Sequence, residues 1–490
     1  MNNPKQLFGF LVFLGLSVFG LSLLTPKTAF EIGPFELSYY TPKELVGPLW
    51  RAEAAPILDT IAVDFIDSTE VTTVVEEEKV VLDTLIQVRQ ATDFANYFEA
   101  LKALKQGQRS NVRIIHYGDS QLEGDRISSQ LRDALQREYG GKGFGWVALD
   151  PLVAPASLEF KNALGLQRKT AFGRRDTAIK DSRYGHLASF TALEHEQGLY
   201  VGQISFQRRN WGYTRAKNFT KLRIDMEGRA EKSVLVISGD TVYSLLNVPG
   251  GSSVHSLNFP AENEFTLRIE SKDSVRVFGL SFESTSGLWV DNVAMRGASG
   301  MMFTKLDENQ FQRTLRREQY SLIILQFGGN AVPYLRDAAH ARQFARSAGR
   351  QVDAIQRLYP EAAILYIGPS DMARKNGLVM ESYPLIVNLK TSLRKEMLRR
   401  GCGYWDLYDV MGGEGSMVRW VDMEPAFAVK DYIHFTPYGA KWVGEALETA
   451  LKELGTRYEK ELIQHRAAQA RKQDSITRLN QATGADSNAR

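Results

Sequence analysis

Cysteine and histidine, the residues that build disulfide frameworks and many metal sites, are scarce in this sequence. Cys402 is the only cysteine among 490 residues, so neither an intramolecular disulfide nor a cysteine-based zinc site is possible. The 7 histidines are scattered and form no HxH or HxxxH pair of the kind that binds metals. We therefore expect a protein without a metal ion or another cofactor.

The sequence also lacks a large excess of charge of one sign. The 60 lysines and arginines exceed the 57 aspartates and glutamates by only 3, which does not suggest a nucleic-acid binder. Hydrophobic residues make up 43% and charged residues 24%, which are ordinary values for globular proteins. These values exclude a wholly disordered chain, a collagen-like chain and a polytopic membrane protein.

Long apolar runs are rare, and the one that stands out lies at the N-terminus. Residues 7–24 are uncharged and mostly apolar, which is near the lower length limit for a helix that crosses a hydrocarbon core of ~30 Å. No Ala-x-Ala cleavage site follows, so we expect an uncleaved transmembrane anchor, with a cleaved signal as the alternative. Lys5 precedes the run, which favours a cytoplasmic N-terminus and export of the rest of the chain.

Four short runs of apolar and β-branched residues are each followed by a helical pattern. They predict a doubly wound parallel sheet with helices on both faces. Between the first and the later runs, residues 151–285 show alternating strand patterns separated by turns, which predicts an inserted, sandwich-like all-β domain. We expect this insert on the side of the sheet where the active-site loops emerge. The four predicted strands cover residues 112–117, 321–326, 363–367 and 404–407.

These patterns divide the chain into six segments. In order, the segments are a membrane anchor or signal (1–27), a spacer with a lead-in helix (28–108), the first part of the α/β domain (109–150), the β-rich insert (151–285), the second part of the α/β domain (286–455), and a basic tail that frays into disorder (456–490).

Residues with catalytic chemistry follow the predicted strands. Ser120 comes directly after the first strand and before a helix, where a serine is exposed at the mouth of a sheet. Asn330 follows the second strand, and its amide can donate to an oxyanion. Asp431 lies three residues before His434, so it can orient the imidazole that takes the serine proton. Asp119 is expected to fix the turn that holds Ser120.

The segments HYGDSQLEGDR, GGN and DYIH, in this order, resemble the signature blocks of the SGNH (GDSL-type) hydrolase superfamily. Gln121 stands where the name motif has Leu. The resemblance covers 109–150 and 286–455 and implies a Ser-His-Asp triad of Ser120, His434 and Asp431. It also implies an oxyanion hole made by Ser120, Asn330 and a glycine of the segment 292–300, with Gly297 preferred and Gly300 as the alternative.

A β-sandwich between the first and second blocks is similar to the organisation of bacterial peptidoglycan and carbohydrate O-acetylesterases. This narrower resemblance implies an esterase that removes O-acetyl groups from a cell-envelope glycan. It places the catalytic domain in the periplasm, either anchored to the inner membrane through residues 7–24 or secreted after cleavage. An O-acetyltransferase with the same triad, or a non-catalytic envelope glycan-binding protein, remains open as an alternative.

Overall fold

The computed structural model describes residues 30–32, 35–37, 85–174, 176–258 and 262–487. They belong to two units, 1–75 and 76–490. In the first unit, strands β1 (Phe30–Ile32) and β2 (Phe35–Leu37) pair antiparallel. The predicted membrane segment 7–24 lies outside the described residues, and within them no helix is long and apolar enough to span a bilayer.

The second unit contains eighteen strands and nine α-helices among its described residues. The strands are β3 (Asn111–Gly118), β4 (Gly145–Val147), β5 (Leu158–Leu164), β6 (Leu166–Thr170), β7 (Ser189–Glu196), β8 (Leu199–Arg208), β9 (Lys221–Gly228), β10 (Lys232–Ser238), β11 (Thr241–Val248), β12 (Gly251–Asn258), β13 (Glu264–Ser271), β14 (Val275–Glu283), β15 (Gly287–Ala294), β16 (Tyr320–Gln326), β17 (Ala363–Ile367), β18 (Ala373–Asn376), β19 (Val379–Ser382) and β20 (Gly403–Trp405). The helices are α1 (Ala95–Lys105), α2 (Arg126–Tyr139), α3 (Thr214–Lys217), α4 (Glu308–Glu318), α5 (Ala338–Leu358), α6 (Ile386–Arg399), α7 (Leu407–Val410), α8 (Ser416–Asp422) and α9 (Pro437–Ser487).

A five-stranded parallel sheet in the order β15-β3-β16-β17-β20 forms the centre of the α/β region. Each of the four predicted strands overlaps a strand of this sheet, so the predicted parallel sheet is confirmed. Every residue of β16 and β17 is buried, because helices cover both faces. Consecutive residues of β3 point to opposite faces of the sheet. Ile115 packs in one hydrophobic core with α5 and α6, and Ile114 packs in the other with α2 and α9.

The β-rich insert is an 11-stranded antiparallel sheet, which confirms its predicted all-β character. It is one continuous sheet that folds over on itself. Its two halves are joined where residues 194–196 of β7 pair with residues 199–201 of β8. Its two halves share a core, to which β8 contributes Phe206 and β14 contributes Leu280. The sheet also includes β4, so antiparallel pairing begins at Gly145, six residues before the predicted start at 151.

The insert joins the parallel sheet at the amino ends of its strands. Leu288 donates its N–H to the Gly140 carbonyl at 3.1 Å, and Gly287 is in register with Asn111, the first residue of β3. Both junctions therefore lie at the end opposite to Ser120, so the chain does not enter and leave the insert on the active-site side, although insert residues still reach the carboxyl end of β15. The physical reason is that α2 carries the chain back across the sheet before the antiparallel strands begin.

The C-terminal segment is helical over a greater length than the sequence predicts. Helix α9 begins at Pro437 and continues to Ser487, through most of the segment 456–490, for which the sequence predicts a solvated helix that frays into a disordered tail. The residues 456–483 contain neither proline nor glycine and are rich in Ala, Arg, Lys, Gln and Glu, which favour helix. Residues 464–475 are exposed all round, as expected of a polar helix.

A buried ion network joins the two sheets. The Arg113 guanidinium on β3 contacts Glu283 of β14, lies 3.1 Å from Asp291 of β15 and lies 3.4 Å from Glu318 of α4. Arg223 of β9 adds contacts of 3.1 Å to Glu283 and 2.7 Å to Glu318. Burial alone would raise the pKa of Glu318, but the surrounding guanidinium groups hold it well below its ordinary value. Glu283 and Glu318 therefore stay charged and depend on their arginines, whereas burial raises the pKa of Asp291 above its ordinary value.

We expect Arg113→Met to lower the free energy of unfolding by about 3–5 kcal/mol, because it leaves buried carboxylates without their partner. Urea denaturation of purified protein measures the effect. Arg346→Met, at an exposed position on α5, is the matched control and should change stability by less than about 0.5 kcal/mol. Equal stability of the two variants would contradict the role given to the network.

Candidate active site

Ser120 is held in a tight turn at the carboxyl end of the central strand β3. Asp119 caps the 3-10 turn Ser120–Asp125, and its Oδ1 accepts the Gln121 N–H at 3.0 Å. A Cβ atom at Gly118 would lie 2.7 Å from the Leu122 side chain and 3.1 Å from the Gln326 carbonyl oxygen. Glycine is therefore needed at this position for the turn to pack against β16.

The structure brings Ser120, His434 and Asp431 together. Ser120 Oγ lies 2.7 Å from His434 Nε2, and His434 Nδ1 lies 2.7 Å from Asp431 Oδ2. Asp431 Oδ1 also accepts the backbone N–H groups of Ile433 and His434, each at 2.9 Å. The spacing of three residues thus lets one carboxylate fix both the loop and the imidazole.

The ionisation of Asp431 suits this arrangement. Partial burial would raise the pKa of Asp431, but hydrogen bonds from the backbone and side chain of His434 and from the Ile433 N–H lower it below its ordinary value. An ionised carboxylate favours the tautomer with a proton on Nδ1. His434 Nε2 is then free to accept the proton of Ser120.

Asn330 lies on the same side of the sheet, in the 3-10 turn Gly329–Tyr334 that follows β16. Its Nδ2 is 3.1 Å from Asp119 Oδ2 and 3.2 Å from the Ala298 carbonyl oxygen. Ser120, Asn330 and His434 line one pocket of about 170 Å³, whose lining also includes the exposed Tyr334. An amide that points at this pocket can donate a hydrogen bond to a substrate oxygen.

The two glycines predicted for the oxyanion hole differ in their surroundings. Gly297 has a φ of +72° and open space where a Cβ would project, in a turn closed by the Ala298 N–H and the Met295 carbonyl. Gly300 has a φ of +75°, and a Cβ there would lie 2.7 Å from the Phe327 ring. Among the described residues, neither glycine lines the pocket at Ser120. Ala298, which lies between the two glycines, accepts a hydrogen bond from Asn330 through its carbonyl oxygen.

Gln121 and Arg126 connect the serine turn to the histidine loop, a role that the sequence analysis missed. Gln121 Nε2 donates to the Ile433 carbonyl at 2.6 Å, and its Oε1 accepts the Phe435 N–H at 3.3 Å. Arg126 donates to the Phe435 carbonyl at 3.1 Å and to the Ser120 carbonyl. The residues before and after His434 are therefore both hydrogen-bonded to side chains that follow Ser120 in the sequence. The sequence signal for this role was Gln121 itself, a polar residue at the position where the family motif has Leu.

Asp119 contributes to the site through its own buried carboxyl group. Burial raises its pKa to about 6, although the Gln121 N–H and the nearby His434 and Arg126 act in the opposite direction. The carboxylate accepts hydrogen bonds on both oxygens, from Gln121 and from Asn330. This confirms that Asp119 fixes the turn, as the sequence predicts, and shows that it also positions Asn330.

We expect the contribution of Asp119 to the free energy of unfolding to decrease as the pH rises from about 4 to 7. The folded state binds this proton more tightly, so its stabilising contribution is complete below the ordinary value of 3.8 and is lost above about 6. A rise of the Asp119 pKa from 3.8 to about 6 corresponds to about 3 kcal/mol in the free energy of unfolding. Urea denaturation of wild type and Asp119→Asn across this range isolates the effect, because other groups titrate equally in both. A pH-independent difference would be the contrary result.

Comparisons with known proteins agree with this architecture. No family model and no curated protein sequence matches the chain. Among solved structures, one of a peptidoglycan O-acetylesterase matches with a TM-score of 0.58 and 21% identity, over 74% of this chain and 96% of that chain. A family two carbohydrate esterase from Clostridium thermocellum, in complex with cellohexaose, matches with a TM-score of 0.24 and 12% identity, over 59% and 98% of the two chains.

The first of these likenesses concerns the fold, and the second is too low to carry an argument. At 21% identity the match to the peptidoglycan O-acetylesterase includes almost all of that chain. This chain is therefore similar in fold to that esterase, which agrees with the fold that its motifs predict.

Proposed function

We propose that this protein is a serine esterase that removes O-acetyl groups from a cell-envelope glycan, with peptidoglycan as the first candidate. The observation that carries the proposal is the hydrogen-bonded series Ser120–His434–Asp431, with both distances at 2.7 Å, beside a pocket that also holds Asn330. The likeness of fold to a peptidoglycan O-acetylesterase supports the choice of substrate.

The first half of the reaction acylates the enzyme. Ser120 Oγ attacks the acetyl carbonyl carbon while His434 Nε2 takes the hydroxyl proton, and Asp431 stabilises the imidazolium that forms. The oxyanion receives hydrogen bonds from the Ser120 N–H and the Asn330 amide, whereas the Gly297 N–H stays a prediction of the motif, because Gly297 does not line the pocket among the described residues. The Asn330 amide now donates to Asp119 Oδ2 at 3.1 Å and to the Ala298 carbonyl at 3.2 Å, so one of these hydrogen bonds must be exchanged for the bond to the oxyanion.

The second half regenerates the enzyme. His434 gives its proton to the glycan oxygen, which leaves as a hydroxyl group, and Ser120 carries the acetyl group. His434 then removes a proton from water, which attacks the acetyl carbon, and His434 returns this proton to Ser120 Oγ as the bond from Oγ to the acetyl carbon breaks and acetate departs. A glycan hydroxyl in place of water would give acetyl transfer from the same intermediate. Measuring free acetate against acetylated acceptor separates the two reactions.

The proposed location of the enzyme is the periplasmic side of a bacterial inner membrane. It is supported by the apolar run 7–24 and by Lys5 before it. An enzyme held there faces the envelope glycan, which agrees with the proposed substrate.

We expect Ser120→Ala and His434→Ala each to lower kcat on a chromogenic acetyl ester by about 10³-fold or more, because triad members act as a unit. Asn330→Ala should cost about 10²–10³-fold, the usual effect of losing one oxyanion donor. The rates are measured on purified protein whose folding is checked by circular dichroism.

Ser475→Ala, on the exposed part of α9, is the matched control and should leave the rate unchanged. Near-wild-type turnover by a folded Ser120→Ala protein would refute the mechanism. Absence of turnover in the wild type, with retained glycan binding, would favour a non-catalytic binding protein.

We expect deletion of residues 1–27 to release a soluble and active enzyme, because the run 7–24 is the proposed anchor. Membrane fractionation followed by the ester assay tests this directly. If the full-length protein is found in the soluble fraction and begins near residue 25–30, the segment is a cleaved signal and the anchor is wrong.

A further inference from the structure

A second cavity lies between the β-rich insert and the parallel sheet. Its volume is about 380 Å³, larger than the pocket at Ser120. Residues of β6 and β7 and of the segment after β4 line one side, and the carboxyl end of β15 lines the other. Although the insert joins the sheet at its amino ends, it thus reaches the end that carries the candidate active site.

An ion pair in the wall of this cavity connects it to the candidate active site. Arg296 donates to both carboxylate oxygens of Glu123, at 2.6 and 2.8 Å. Glu123 is in the same 3-10 turn as Ser120, so their Cα atoms are separated by at most about 11 Å. Arg296 directly precedes Gly297, the proposed oxyanion residue. The lining of the second cavity therefore begins in the turn that carries Ser120.

The charges that line the cavity are unbalanced. Four arginines face two carboxylates, and two of the arginines are paired, Arg296 with Glu123 and Arg132 with Asp125. The other two, Arg168 and Arg174, have no carboxylate within 4.0 Å among the described residues. Arg168 makes one hydrogen bond, to the Asp150 carbonyl at 3.2 Å. Their remaining N–H groups are therefore available to an anionic ligand.

The rest of the lining is largely apolar. Leu152 and Val153 are 54% and 41% exposed at its edge, and the partly buried Phe172 supplies an aromatic ring. Apolar and aromatic surface suits the faces and N-acetyl groups of amino sugars, whereas free guanidinium groups suit a carboxylate. A neutral polysaccharide would offer these guanidinium groups only hydroxyl and amide oxygens, without the charge of a carboxylate.

We propose that this cavity is a subsite for a carboxylate-bearing amino sugar, in which Arg168 and Arg174 bind the carboxylate of a glycan whose acetyl ester lies at Ser120. The assignment rests on the proposed function for its substrate, and it narrows that substrate to glycans with a free carboxylate, such as strands in which the lactyl carboxylate of muramic acid carries no peptide. Neutral acetylated glycans would reach Ser120 without this additional binding energy.

Binding can be tested without catalysis, in the full-length Ser120→Ala protein. The probes are the disaccharide N-acetylglucosaminyl-N-acetylmuramic acid, with its lactyl carboxylate free, and chitobiose, which lacks that group. We expect calorimetry to show that the carboxylate disaccharide binds more tightly. Combining Arg168→Gln with Arg174→Gln should weaken its binding about tenfold or more and change chitobiose binding less than about twofold.

Arg342→Gln, at an exposed position on α5, is the matched control and should change neither affinity. If the double variant does not fold, Arg174→Gln alone, at an exposed position, gives the same comparison. Equal affinity for the two disaccharides, or an unchanged affinity in a folded variant, would overturn the subsite. The proposed esterase activity is tested separately by ester hydrolysis in the wild type. A failure of the subsite would appear only in the binding measurements, and a failure of the esterase would appear only in the hydrolysis assay.

Discussion

The buried guanidinium of Arg113 is the contact on which the arrangement of both sheets depends. It sits on β3, the strand whose carboxyl end carries Ser120, and its carboxylate partners come from β14, β15 and α4. A charge buried to this extent is tolerated only when its partners are held in place. The network therefore fixes the β-rich insert against the same strand that positions the candidate nucleophile, and the cavity between them keeps its shape.

The candidate site has its own connection across the chain. Gln121 and Arg126, next to the serine turn, bond to the residues that flank His434. The distance of 2.7 Å between Ser120 Oγ and His434 Nε2 thus follows from backbone contacts on both sides of the histidine as well as from the triad itself. Asp119 completes the arrangement, because it caps the turn and holds Asn330.

The sequence predicted those parts of the molecule that follow from local pattern. The strands of the parallel sheet are apolar throughout because both faces are covered, so runs such as Ala363–Ile367 are recognisable. Ser120, Asn330 and His434 follow from their positions after strands and from motif order. The contacts of Gln121 and the position of the insert junctions could not be predicted, because they depend on which elements meet in space. The continuity of the antiparallel sheet across β7 and β8 is equally a property of pairing rather than of composition.

The position of the insert also affects how the chain emerges from the ribosome. Strand β3 has β15 and β16 as its neighbours in the sheet, and both are synthesised only after the whole antiparallel sheet. At about 5–20 residues per second, the nascent chain carries β3 unpaired for about ten seconds or more. An apolar strand without neighbours is prone to pair with other chains, and a charged residue within it opposes such pairing. Arg113 is the third of the eight residues of β3, so the residue that joins the finished sheets also places a charge in this strand before its neighbours are synthesised.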